Sequence, residues 1–172
     1  MKKAPQKKKR VTRSAPAKAK AITVKQILVP TDFSKNSLKA LDYALSFAKV
    51  FSAKITLLHA VESHFGGALY GPADFPPLEM DFLESSRKQL TELANQRKSP
   101  KVRIQTVAQC GHAVQETVEY AKENKIDLII LATQGHTGFA HIFLGSTAEN
   151  IVRHAPCPVL VVREHERDIV KI

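Results

Sequence analysis

The chain has 172 residues, 44% of them hydrophobic, and a formal net charge of +10. This length and apolar content predict one globular domain with a tail, and they exclude a chain too short to bury a core. The two cysteines, Cys110 and Cys157, lie far apart and form no CxxC pair, which argues against a disulfide framework and suits a reducing compartment.

The basic excess belongs to the first 22 residues. Nine of the 26 Lys and Arg residues lie there without any Asp or Glu, so 17 basic residues face 16 acidic ones in the rest. Because residues 1–22 include few apolar side chains that could be buried, we expect them to be a disordered tail. This tail is expected to make at most nonspecific contacts with polyanions. They show no apolar core of a signal peptide, and no apolar run reaches about 18 residues. The sequence therefore predicts a cytoplasmic protein without a membrane span.

From residue 24 onward, short apolar runs alternate with apolar residues spaced three and four apart. The first run ends at Pro30, and Asp32 and Ser34 behind it are candidate N-caps of a helix that continues to Phe51. The predicted strands cover 26–30, 53–61, 101–109, 127–133 and 159–162; the predicted helices cover 38–51, 80–97, 111–124 and 146–154, with long loops at 62–78 and 134–144.

This alternation predicts an α/β fold, namely a five-stranded parallel sheet with helices on both faces. Such sheets bind ligands where the strands end at their carboxyl edge and the chain order reverses. The segments to consider are therefore 30–34, 60–62, 110–112 and 133–146. His59, near the end of the second strand, is expected to be structural rather than catalytic.

The strongest local pattern runs from the fourth strand through Gly135 and Gly138 to Gly145, Ser146 and Thr147 at the start of a helix. Glycines admit close approach of a ligand, and a helix N-terminus offers free N–H groups to phosphate. A glycine turn followed by a Ser cap, without any ligand, explains the same pattern. The segment is neither GxxxxGK[ST] nor GxGxxG, so it predicts neither of those two nucleotide motifs.

Several short segments, in order, resemble the universal stress protein family over residues 25–163. They are ILVPTDFS at 27–34, LLH at 57–59, DLIIL at 127–131, the glycine and serine loop, and APCPVLVV at 155–162. The resemblance implies a Rossmann-like fold of the adenine nucleotide alpha hydrolase type. Together with the composition, the resemblance divides the chain into three segments: the disordered basic tail 1–22, the domain 23–165 and a short C-terminal tail 166–172.

Nucleotide-binding members of that family carry G-x2-G-x9-G-[ST], and this chain reads A-x2-G-x9-G-S, with Ala132 in the first glycine position. With alanine at this position, we expect the affinity for nucleotide to be weakened or unchanged. The resemblance implies ATP as the ligand, with Mg²⁺ or Mn²⁺ bridging from Asp32. The nucleotide-binding residues carried over are Pro30, Thr31, Asp32, Ala60, Ala132, Gly135, Gly145, Ser146 and Thr147.

Three functions stay open at this point. The first is an ATP-binding regulatory protein of the stress response with little or no turnover. The others are a slow ATPase on the same cradle and an interaction protein that binds no nucleotide. No catalytic residue is predicted, because no Lys or Arg lies in the loop to neutralise a transferred phosphoryl group. The resemblance also implies a homodimer through the apolar last strand, Val159–Val162.

Overall fold

Five strands and four helices alternate in a computed structural model that describes residues 21–62, 77–133 and 145–163, the side chains of 77–79 excepted. The predicted element order is confirmed. The elements are β1 Gln26–Pro30, α1 Lys35–Phe51, β2 Lys54–Val61, α2 Pro77–Gln96, β3 Ile104–Cys110, α3 Ala113–Glu123, β4 Leu128–Ala132, α4 Ser146–His154 and β5 Val159–Val162.

Several predicted boundaries were wrong by one to three residues, and the starts of α2 and β3 are the informative cases. The helix α2 begins at Pro77 rather than at residue 80, because proline at a first helical position loses no hydrogen bond that a helix would use. The strand β3 begins at Ile104 rather than at residue 101. Before β3, Ser99 and Val102 form an isolated antiparallel bridge with each other instead of extending the strand.

The five strands form one parallel sheet in the order β3-β2-β1-β4-β5. The chain moves outward from β1 to β2 and β3, and then returns to the other side of β1 for β4 and β5. The order therefore reverses between β1 and β4, which is where parallel sheets of this kind bind ligands. The predicted parallel sheet is confirmed.

Helices cover both faces of the sheet, as predicted. Side chains alternate along each strand, so Leu57 packs in the cluster with α1 and α2, whereas the next residue, Leu58, packs in the cluster with α3 and α4. The strands carry apolar residues on both sides because both sides are buried. The first cluster includes Ile27, Val29, Leu41, Ala44, Leu90 and Ile130; the second includes Leu28, Ala121, Ile129, Leu131 and Ile151.

At the amino end of the strands, the Asp127 carboxylate links β1 to β4. Asp127 Oδ2 accepts hydrogen bonds from the backbone N–H groups of Lys25 at 2.7 Å and Gln26 at 2.9 Å. Because Asp127 directly precedes β4 and Gln26 begins β1, this contact fixes how the two strands start relative to each other. It thereby helps to set the positions of their carboxyl ends.

Several predictions concern residues outside the described part of the chain. They are most of the tail 1–22, the loop positions 63–76 and 134–144, and the C-terminal tail 166–172. Within the described ranges, no helix combines the length and the apolar character needed to cross a membrane.

Candidate functional site

The predicted site residues that the structure describes lie at the carboxyl edge of three adjacent strands and at the start of α4. Pro30 ends β1, Ala60 lies next to the last residue of β2, and Ala132 ends β4. Since β1 stands between β2 and β4, these positions come from neighbours in the sheet. The order of the chain reverses at the same place, so the edge has the architecture of a ligand site.

The turn between β1 and α1 is held by local hydrogen bonds. Thr31 Oγ1 accepts from Phe33 N at 3.1 Å, and Asp32 Oδ1 accepts from Ser34 N at 3.0 Å. Ser34 is the N-cap of α1, because its Oγ accepts from Ser37 N at 3.2 Å. Of the two candidate caps in the sequence, Ser34 therefore caps the helix, and Asp32 closes the turn before it.

A histidine and a phenylalanine brace this turn from the side. His59 Nδ1 lies 2.8 Å from the backbone oxygen of Thr31, and its ring lies 4.6 Å from the Phe33 ring, centroid to centroid. Phe33 has φ of 63°, the left-handed region that residues with a Cβ rarely adopt. The expectation that His59 is a satisfied structural residue agrees with this hydrogen bond.

Ala132 has an ordinary strand conformation. It pairs with Val162 in the sheet, and it is absent from the described non-glycine residues with positive φ, which are Phe33, Ser52 and Lys125. Its methyl group packs against the core cluster of α1 and α2. The position therefore does not require glycine for its backbone, and the departure from the family's glycine pattern creates no strain here.

Gly145 is glycine for a different reason. Its φ of −57° is ordinary, but its N–H donates to the Thr133 carbonyl at 2.8 Å, and a Cβ at this position would lie 2.8 Å from the same oxygen. The close approach brings the start of α4 against the end of β4. Ser146 and Thr147, the first two residues of α4, are both exposed.

The start of α4 can bind an anion. Gly145 has no side chain to cap the helix, so the first N–H groups of the nine-residue helix are not satisfied by its N-cap residue. The helix dipole adds partial positive charge at that end. Glu149 in the first turn works against an anion, but its carboxylate binds Arg153 at 2.8 Å, which offsets the charge.

A glutamate that the sequence did not single out lies at the same edge. Glu62 directly follows β2, and its Oε1 accepts from Ala113 N at 3.0 Å, which caps α3. The same oxygen is 3.9 Å from His112 Nε2. His112, the N-cap residue of α3, makes no capping bond with its own side chain. No local pattern marks this contact, because it joins residues 51 positions apart.

A second carboxyl group lies over Gly111. A Cβ on Gly111 would collide with the Glu116 carboxylate. Burial raises the pKa of Glu116 above its ordinary value, and the nearby carboxylates of Glu119 and Glu123 raise it further. The edge thus carries acidic groups on the side of α3.

The part of the chain that the structure describes contains no group of three or more His, Cys, Asp or Glu side chains suited to a metal ion. Asp32, the carboxylate that the family resemblance implies for a cation, is part of the turn before α1. Gly135, the remaining residue of the predicted set, lies outside the described residues.

Residues 23–163 match the universal stress protein family. The universal stress protein MJ0531 of Methanocaldococcus jannaschii is 34% identical over 145 residues, covering 84% of this chain and 85% of that protein. The structure of UspA from Lactobacillus plantarum is similar with a TM-score of 0.70 at 28% identity, covering 83% of this chain and 100% of the other. A universal stress protein solved in complex with cAMP gives 0.57 at 25% identity, with 82% and 98% covered.

Proposed function

Because the chain belongs to the universal stress protein family, we propose that it binds ATP at the carboxyl edge of its sheet and acts as a nucleotide-responsive regulator of the stress response. The observation that carries the proposal is the meeting of the β1, β2 and β4 ends with the start of α4 where the strand order reverses. A family member of the same fold, solved in complex with cAMP, supports an adenine nucleotide as the ligand.

The phosphates belong at the start of α4 in this proposal. Free N–H groups of the first turn and the exposed hydroxyls of Ser146 and Thr147 donate to phosphate oxygens. Gly145 keeps these donors close to β4, since no side chain separates it from Thr133. Gly135, which lies outside the described residues, is included in the proposal by the family pattern alone.

The nucleoside lies over the ends of the strands. Pro30 and Thr31 line the base and ribose, the backbone at Ala60 meets the adenine edge, and Ala132 forms part of the floor. These assignments follow the family pattern position by position. Apolar walls with a few backbone hydrogen-bonding groups are the usual composition of such sites.

Asp32 is the one acidic residue in the proposed set, and its charge opposes phosphate. The arrangement becomes favourable where the carboxylate accepts from ribose hydroxyls or holds a divalent cation. Mg²⁺ commonly binds one or two carboxylates together with substrate phosphates and several waters, so a single carboxylate fits it. We propose that Mg²⁺ or Mn²⁺ strengthens ATP binding through Asp32.

Regulated binding, rather than rapid turnover, suits this set of residues. Stabilising a transferred phosphoryl group takes cationic side chains, and the described members of the set include no Lys or Arg. The protein is thus proposed to retain ATP and to respond to it through its conformation or assembly.

Calorimetric titration with ATP, with and without Mg²⁺, tests the proposal. The wild type is expected to bind, and more tightly with Mg²⁺. Asp32→Asn keeps an oxygen for the Ser34 N–H but loses the charge, so the Mg²⁺ effect should disappear. Asp81→Asn, on the exposed surface of α2, is the matched control and should behave as wild type.

Two results would contradict the proposal. One is the absence of heat at millimolar ATP with the folded wild type. The other is a Mg²⁺ effect that survives in Asp32→Asn. A phosphate-release assay run on the same samples decides between regulated binding and a slow ATPase: steady release that Gly145→Val abolishes would favour the ATPase.

We also propose a homodimer that forms through β5. This strand lies at the edge of the sheet, and three of its four apolar residues are only half-buried. An apolar edge strand offers unpaired backbone groups to a second copy. Light scattering at micromolar concentration should give the mass of two chains, and a monomeric mass would contradict this assembly.

A further inference from the structure

We propose that His59 is a positioning residue of the nucleotide site, because its imidazole holds the β1–α1 turn in the conformation that presents Thr31 and Asp32 to the ligand. This inference rests on the nucleotide binding proposed above. It assigns a role to a side chain that is not among the nine proposed contact residues.

The hydrogen bond to Thr31 identifies which nitrogen of the ring donates. The Thr31 carbonyl can only accept, so His59 Nδ1, 2.8 Å away, carries the proton and donates. The paired positions of β1 and β2 end at Pro30 and Leu58, and the Thr31 N–H still donates to the Leu58 carbonyl at 2.9 Å. The ring thus fixes the peptide oxygen of Thr31 directly where the chain leaves the sheet.

The residue that most needs such support is Phe33. Its left-handed backbone, with φ of 63°, is disfavoured by the contact of Cβ with the following carbonyl. Strained backbone persists where surrounding contacts over-determine it, and it concentrates at functional sites. Here the Thr31 hydroxyl accepts from the Phe33 N–H at 3.1 Å, and the His59 ring packs on the Phe33 ring.

Asp32 lies between the two residues that the imidazole holds. Thr31 is fixed through its carbonyl and Phe33 through its ring, so the backbone of Asp32 is constrained from both sides. When the hydrogen bond to the Thr31 carbonyl is lost, Phe33 can relax toward ordinary dihedrals, and the Asp32 carboxylate then turns away from its present direction. The proposed effect on nucleotide therefore arises through Asp32 and Thr31.

The His59 side chain points to the face of the sheet that α1 and α2 cover, whereas the contact proposed at Ala60 uses the backbone. Side chains alternate along β2, so His59 points to the same side as Leu57, toward α1 and α2, and Ala60 points to the side of Leu58. Phe33 and Ala108, the neighbours of His59 by ring contact and by register, both pack against the α1 and α2 cluster. This is the position of a support behind the turn.

Two amide substitutions separate the possible roles of the ring. In His59→Asn the amide nitrogen is bonded to Cγ, as Nδ1 is, so it can still donate to the Thr31 carbonyl. In His59→Gln the amide lies one bond further out, where Nε2 was, and the bond to Thr31 is lost. Glutamine fills more of the volume of histidine than asparagine does. If the ring only filled space, His59→Gln would therefore bind ATP more tightly than His59→Asn.

ATP affinity is measured by calorimetry with and without Mg²⁺, at a temperature below the melting of every variant. We expect His59→Asn to bind within about 2-fold of wild type and His59→Gln to bind about 10-fold more weakly. The loss should be larger with Mg²⁺ than without it, because the cation depends on Asp32. His154→Gln is the matched control, since its Nδ1 also lies 2.8 Å from a backbone oxygen, that of Asn150, at the far end of α4.

Each outcome either supports or overturns the inference. Weaker binding by His59→Gln alone supports the inference. Equal affinity of both variants and wild type overturns it, and so does a loss confined to His59→Asn, which would mean that Nε2 touches the ligand or that bulk alone matters. If His59→Gln does not fold, His59→Asn decides: a loss of about 10-fold overturns the inference. Absence of binding by the wild type overturns the proposed function itself, and this inference with it.

Discussion

Two strand-to-helix turns at the same edge of the sheet, β1–α1 and β3–α3, are built in contrasting ways. The first uses side chains within the turn, and its helix is capped by its own Ser34. The second has His112 at the N-cap position without a capping bond, and a distant carboxylate, Glu62, serves instead. Both turns also contain a residue with positive φ, Phe33 in one and Gly111 in the other.

The contrast teaches how a turn can be prepared for a ligand. The β3–α3 turn needs an unusual backbone and satisfies it with glycine, at no steric cost. The β1–α1 turn tolerates an unusual backbone at Phe33, which the His59 ring and the Thr31 hydroxyl hold in place. Strain is retained in the turn for which we propose nucleotide contacts and avoided in the other, which is the distribution that functional sites usually show.

The largest effect should come from Gly111→Ala. At φ of 147° a residue with a Cβ is strained, and the added methyl group would also collide with the Glu116 side chain. We expect the free energy of unfolding to fall by about 2 kcal/mol. Urea denaturation measures it, with Gln115→Ala on the exposed face of α3 as control. A change no larger than in the control would mean that this turn does not depend on its glycine.

A smaller effect is expected from Ser34→Ala, which removes the local cap. The Ser37 N–H, in a buried part of the turn, loses its acceptor, so the free energy of unfolding should fall by about 1 kcal/mol.

Glu62→Ala removes the distant cap of α3. Because Glu62 is exposed and water can replace its carboxylate, we expect the free energy of unfolding to fall by about half as much as in Ser34→Ala. Equal losses from both variants would erase the proposed difference between the turns.

These two caps also show how far the sequence could predict the fold. Ser34 lies directly before a helical periodicity, and capping is a local effect, so the sequence pointed to it. The cap by Glu62 depends on β2 and α3 meeting in space, and no pattern within a short window encodes that contact. The strand order is likewise nonlocal, whereas the alternation of elements, which the apolar periodicity carries, was predicted correctly.

The candidate site was predictable to a similar degree. The glycine and serine spacing identified Gly145, whose contact with Thr133 needs the absence of a side chain. The same spacing made Ala132 look like a departure, and its ordinary strand backbone shows why a methyl group is tolerated there. The left-handed Phe33 was not predictable, because intrinsic preference favours almost any other conformation for phenylalanine.

The smallest effect is expected from Glu116→Gln, in the first turn of α3 beside Gly111, and its pH dependence is diagnostic. The pKa of Glu116 is raised in the folded protein above its ordinary value of 4.5. The folded state therefore holds its proton more tightly, so the penalty from this carboxylate develops as pH rises from about 4.5 through the folded pKa, and it is complete above it.

Glutamine removes that penalty, so Glu116→Gln should stabilise the protein at neutral pH and leave it unchanged near pH 4. The gain should stay below about 0.5 kcal/mol, because solvent screens the group and because a carboxylate in the first turn of α3 interacts favourably with the helix dipole. Urea denaturation at the two pH values, beside Glu92→Gln on the exposed side of α2, measures it. A gain that grows toward pH 4 would show that the dipole, rather than burial beside Gly111, dominates at this residue.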